Sequence, residues 1–117
     1  MRTFTKKITG LSGTTETFGM DLTVQEHGRQ TWEFYATGGA NVRVILKSVF
    51  TVEGVELAGS GGPGTEGCDI QTIDLTQNVL TIVNFNMKLE HVRCTYTDDE
   101  VGAMSGTLYI KATTAKG

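Results

Sequence analysis

Thr31-Trp32-Glu33-Phe34-Tyr35-Ala36 sets Trp32, Phe34 and Ala36 on one side of an extended chain and Thr31, Glu33 and Tyr35 on the other. Successive side chains of a strand point to opposite faces, so this six-residue stretch reads as a half-buried β-strand. The same period recurs outward in both directions. Val42, Val44 and Leu46 oppose Arg43, Ile45 and Lys47; Val92, Cys94 and Tyr96 oppose His91, Arg93 and Thr95; Leu108, Ile110 and Ala112 oppose Thr107, Tyr109 and Lys111. No window carries a capped helical stripe. Nine strands are expected, near 2–9, 20–27, 29–37, 41–49, 50–58, 68–74, 78–85, 88–97 and 106–114.

Short breaks rich in Gly, Asn and Asp separate these runs, among them Gly28, Gly38-Gly39, Asp98-Asp99-Glu100 and the stretch from Gly102 to Gly106. Eight or nine short strands at this spacing fit an all-β antiparallel sandwich or jelly roll. The chain has 117 residues, enough for one domain that buries roughly two-thirds of its unfolded surface. With 38% hydrophobic and 20% charged residues it is not a disordered composition. Five Gly in 59–67 make that stretch a connector between two halves of one sandwich, because neither half can bury a core alone. Residues 1–15 are a possible arm. Arg2 to Thr9 alternates like a strand and is followed by the loose Gly10-Leu11-Ser12-Gly13-Thr14-Thr15, so it either leaves to join a neighbour's sheet or forms an edge strand of its own.

The net charge of −3 hides no basic face. Residues 1–58 carry six basic and six acidic side chains, residues 59–117 four and seven, and Lys6-Lys7 is the only adjacent basic pair. Nucleic acid, which needs clustered cations, is not an expected partner. No apolar run reaches the ~20 residues of a membrane span, so no membrane is expected either. The start, Met1-Arg2-Thr3-Phe4-Thr5-Lys6-Lys7, alternates where a signal peptide has an apolar stretch. The chain is therefore expected to stay in the cytoplasm with Cys68 and Cys94 reduced.

Chemistry is sparsely written. The 59–67 loop lacks the following Lys and helix of a phosphate cradle. His91 and Cys94 are three apart, hence on opposite faces of a strand, and cannot share an ion; Cys94 reads as a small core residue and an inert thiol. His27 and His91 read as surface histidines. Asp98-Asp99-Glu100 reads as a solvated hairpin tip, and Glu53 and Glu56, three apart in one strand, cannot pair as acid and base. No catalytic residue, cofactor or metal is expected. The expected core comprises Trp32, Phe34, Val42, Val44, Leu46, Val92, Cys94, Leu108 and Ile110, leaving Tyr35 and Tyr109 as the exposed rings.

Val92, Arg93, Cys94, Tyr96 and Thr97, then an acidic turn, then Ser105, Gly106, Thr107 and Leu108 resemble the closing hairpin of small β-sandwich virion proteins of tailed bacteriophages. Residues 32–36 followed by 41–46 look like their central hairpin. The Ser-x-Asp-Gly-x-x-Trp turn of that group is missing, and 59–67 has no counterpart there. The resemblance implies a non-enzymatic structural protein, a capsid decoration or cement protein that binds coat subunits as a homotrimer in the virion. The alternative it implies is a tail or fibre module that contacts host carbohydrate. A secreted, disulfide-bridged binding domain is disfavoured by the polar start. Partner contacts are expected at Arg2, Phe4, Lys6, Lys7, Tyr35 and Tyr109.

Overall fold

The computed structural model describes residues 2–11, 15–23, 29–38, 41–56, 67–85, 91–98 and 106–115. The stretch 59–66, His27, Asp99, Glu100 and Ser105 lie outside these. Among the described residues there are ten strands: β1 (Arg2–Leu11), β2 (Thr17–Thr23), β3 (Arg29–Thr37), β4 (Val42–Ser48), β5 (Thr51–Val52), β6 (Val55–Glu56), β7 (Cys68–Leu75), β8 (Thr81–Phe85), β9 (His91–Asp98) and β10 (Gly106–Ala115).

Eight of them form two antiparallel four-stranded sheets, ordered β1-β10-β3-β8 and β2-β9-β4-β7. The pairs nest: β1 with β10, β2 with β9, β3 with β8, β4 with β7. This is one long antiparallel hairpin rolled up so that its alternate segments fall in different sheets, and pairings of β10 with β3 and of β9 with β4 close each sheet. The result is an eight-stranded jelly roll. Its hairpin tip is the stretch between β4 and β7, which contains the expected 59–67 connector.

Two expectations are corrected by this topology. β3 and β4 lie in different sheets, as do β9 and β10, so neither the central nor the closing hairpin exists. Alternation marks which side chains face inward and is the same whichever strand lies alongside. Residues 38–41 span up to about 14 Å, enough to cross the ~10 Å between packed sheets. The expected strand at 50–58 is instead a hairpin: Glu53 and Gly54 take φ of 54° and 78° and reverse the chain between β5 and β6. Positive φ at both central residues is the two-residue turn that matches strand twist. Within the chain, β1 pairs with β10 from Arg2 to Leu11 as an edge strand of the first sheet.

Two bulges set which residues enter the core. Gly10, at φ 67°, is the extra residue between Thr9 and Leu11, and it shifts parity so that Leu11 turns inward to 1% exposure after Ile8. Gly19 does the reverse for Phe18, which pairs with Thr95 and faces outward. A Cβ at Gly19 would lie 2.8 Å from the Cys94 carbonyl oxygen, so the close approach of β2 to β9 requires glycine. Every expected core residue is 3% exposed or less, and Met20, Leu22, Ile73, Leu75, Val83 and Phe85 join them. Trp32 donates from Nε1 to Gln30 Oε1 at 3.1 Å, which satisfies the indole inside the core.

Candidate interaction surfaces

The outward side chains of the first sheet fall into rows that follow its register. One row runs Lys7, Tyr109, Tyr35; the next runs Thr5, Lys111, Glu33, Ile82; a third runs Thr3, Thr113, Thr31, Asn84. Tyr35 and Tyr109 are cross-strand partners with centroids 6.3 Å apart and planes tilted by 54°. Lys7 Nζ lies 5.8 Å from the Tyr109 centroid, a cation–π contact at the open surface. These groups, with Leu80, line a groove of about 440 Å³. Of the six expected contact residues, the structure brings Lys7, Tyr35 and Tyr109 together here. Lys6 takes the parity of Phe4 and Ile8 yet borders the groove. Phe4 packs half-buried against the core with the Arg2 guanidinium 5.3 Å from its ring centroid, away from that row.

The second sheet's outer face is built differently. One row across its four strands reads Asp21, Arg93, Lys47, Asp69. Arg93 Nε and Nη2 donate to the two Asp21 carboxylate oxygens at 2.7 and 2.8 Å, and Nη1 and Nη2 reach Glu56 at 3.3 and 2.8 Å. Phe18, turned out by the Gly19 bulge, covers the guanidinium at 5.4 Å. Lys47 Nζ sits 2.8 Å from Asp69 and 3.1 Å from Glu16, which also accepts a 2.6 Å hydrogen bond from Thr95. Arg93 is consequently only 4% exposed and Lys47 7%, although both point away from the core.

Burial opposes ionisation of Asp21, but the hydrogen bonds and charge of Arg93 outweigh it and hold its carboxyl below the usual range. A hydrogen bond from Arg93 does the same for Glu56. Burial likewise works against the Lys47 ammonium and is outweighed by Asp69 and Glu16, so its pKa rises. Asp21, Glu56 and His91 place ligand-type atoms within 4.8 Å of one another. The cation serving those two carboxylates is Arg93 itself. His91 Nε2 lies 2.9 Å from Asp21 Oδ2 without the alignment of a hydrogen bond.

Several expectations change here. His91 is not a surface histidine: its side chain is 11% exposed, wedged beside Asp21. Asp98 is not solvated but ends β9 at 1% exposure, opposite Val42. There it adds to the effect of burial in raising the Tyr96 hydroxyl. The described part of that expected tip is the last residue of a strand rather than part of a turn. Glu56 does find a partner, because the turn at 53–54 aims it at Arg93. Sequence reasoning missed Glu16, Phe18, Asp21 and Glu56; alternation gave Arg93 and Lys47 as outward without naming what covers them. The Glu-Gly step between Val52 and Val55 is the one local signal for the turn. Cys94 is 0% exposed and burial drives its thiol pKa up, whereas the free Cys68 is exposed at the start of β7.

No protein-family model and no curated protein matches the chain. Among solved structures it is similar to a subunit of Bacillus endospore appendages, described as disulfide-linked pili. The TM-score is 0.58 at 9% identity, over 99% of this chain and 88% of that one. It is also similar to a capsid chain of equine rhinitis A virus, a picornavirus, with TM-score 0.53 at 10% identity, over 93% of this chain and 66% of that one. At these identities the likeness is one of fold: the jelly-roll sandwich is shared with a pilus subunit and a viral capsid protein.

Proposed function

We propose that the chain is a non-enzymatic structural subunit of a virion, a decoration or cement protein that docks on coat subunits through the β5–β6 hairpin. The observation that carries this reading is the hairpin's inverted polarity. Val52 and Val55 are direct cross-strand partners, and Phe50, two residues before Val52, shares their parity; they are 46%, 59% and 63% exposed. Thr51 and Glu56 form the other pair, and Glu56 turns back to bind Arg93. The hairpin thus holds its polar side against the protein and its apolar side toward water. An exposed apolar cluster rimmed by polar groups is the mark of a protein-contact surface.

The likeness in fold to pilus and capsid subunits supports a role in assembly, as does the position of β1 at the edge of its sheet, where among the described residues no further strand pairs with it and a neighbour's strand could add. Cys94, sealed in the core, offers no nucleophile. A threefold valence follows from the resemblance to phage virion proteins. Light scattering of the purified chain at micromolar concentration is expected to return a trimer's mass, and a monomer's mass throughout overturns self-association. The double variant Phe50→Ser, Val55→Ser is expected to lose binding to parent particles stripped of this subunit while keeping its β-type circular dichroism; retained binding removes the hairpin from the docking interface. Electron imaging of parent particles with a labelled antibody is expected to mark the head surface, and label confined to the tail selects the tail or fibre alternative.

A further inference from the structure

On the outer face of the first sheet, we propose a binding site for an acidic sugar: the groove over Tyr35 and Tyr109, with Lys7 and Lys111 receiving the carboxylate. The inference is independent of how the subunit assembles, because the hairpin surface described above lies beside the other sheet.

Three observations lead to this ligand. First, the floor is aromatic. The tilted Tyr35–Tyr109 pair and Leu80, itself 51% exposed, give an apolar surface on which the C–H face of a sugar ring stacks. Second, two ammonium groups flank Tyr109. Lys7 is its partner on β1, and Lys111 lies two residues along β10, about 7 Å away on the same face. Among the described residues neither has a carboxylate within ion-pairing distance, so in a chain of net charge −3 both remain open to an outside anion. Third, neighbouring positions on this face carry hydroxyls: Thr107 and Thr37 form the row on one side of the tyrosine pair, and Thr5 stands opposite Lys111 in the row on the other.

The class of ligand follows from what a sheet face lacks. Its backbone donors and acceptors are spent in the ladder, so an extended acidic peptide lying there leaves its own backbone groups unmet; peptides add to sheet edges instead. A sugar brings hydroxyls that side chains and water satisfy. Orientation follows from charge. Glu33 stands beside Lys111 on β3 and repels an anion on its side. The carboxylate therefore sits over β1 and β10 between Lys7 and Lys111, with the apolar ring face over Tyr35 and Leu80.

The test uses oligogalacturonate, a neutral galactan oligomer of equal length and oligoglutamate as probes of the ¹⁵N-labelled full chain. Oligogalacturonate is expected to shift amide signals of Lys7, Tyr35, Tyr109 and Lys111 and to weaken as salt is added. Lys7→Gln and Lys111→Gln are each expected to lower affinity about tenfold with the spectrum otherwise native, while Tyr109→Ala abolishes binding. Absence of these shifts at millimolar oligogalacturonate overturns the site. Equal binding of the neutral oligomer overturns the assignment of the lysines, and equal binding of oligoglutamate overturns the sugar in favour of a peptide.

Discussion

The two outer faces of this sandwich descend from the same alternation and end in opposite states. On the first sheet Lys7, Tyr109 and Lys111 stand in water with no carboxylate in ion-pairing reach among the described residues. On the second, Arg93 and Lys47 occupy equivalent outward positions, yet Phe18, Glu16 and Glu56 fold over them and leave only a few per cent exposed. An outward position in a strand is thus not yet a surface position. What lies across it depends on a bulge at Gly19 and a turn at Glu53-Gly54.

The yardstick for both faces is the core beneath them. Leu108→Ala, at 0% exposure, is expected to cost about 2–5 kcal/mol in urea unfolding. A loss below ~1 kcal/mol would mean that the first sheet packs far more loosely than its burial indicates.

Next in size comes Arg93→Ala. Removing one member of a buried ion pair costs about 3–5 kcal/mol, and because Asp21 and Glu56 keep 29% and 38% of their side-chain surface in water the expectation here is about 2–3 kcal/mol. A cost no larger than that of an exposed lysine would abolish the distinction between the faces.

Acid should reach the covered face first. Asp21 and Glu56 have folded pKa values below the ordinary 3.8 and 4.5. The stability they contribute is therefore present above those ordinary values and is lost as pH falls through the lowered ones. Thermal unfolding is expected to move to lower temperature below about pH 4.5, and Asp21→Asn is expected to flatten that slope. An unchanged slope in Asp21→Asn would assign the acid sensitivity elsewhere.

How far the sequence foretold this division differs by level. Period two named the inward residues correctly from Trp32 to Ile110, since parity is a local property of the backbone. It did not name neighbours. The nested pairing of β1 with β10 and β4 with β7 joins positions that no local pattern connects, which is why 32–36 with 41–46 and 92–97 with 105–108 read as hairpins when each pair spans the two sheets. The same blindness hid the covered network: Asp21 and Arg93 meet only because β2 lies beside β9, and Glu56 arrives from outside both sheets. Lys7 and Tyr109 stand exposed, Tyr35, expected as an exposed ring, is half-buried between its neighbours, and the convergence of the three in one row was not readable.

The smallest expected effect is the sharpest comparison, since it sets one lysine against another. Lys111 and Lys47 are both outward residues of central strands, flanked on both sides by neighbours. Lys111 is exposed and forms no ion pair among the described residues, so Lys111→Ala removes only a solvated side chain and is expected to fall within about 0.5 kcal/mol of zero. Lys47 is held between Asp69 and Glu16 with 9% of its side chain exposed. Its removal frees both carboxylates, of which Asp69, 56% exposed, rehydrates readily. The cost is therefore expected to be about 1–2 kcal/mol, between that of a surface pair and that of a sealed one. Equal values for the two lysines, measured by urea unfolding at neutral pH, would show that the cover over the second sheet opens freely in solution. A clear gap would place the same residue type in two energetic classes by what folds over it.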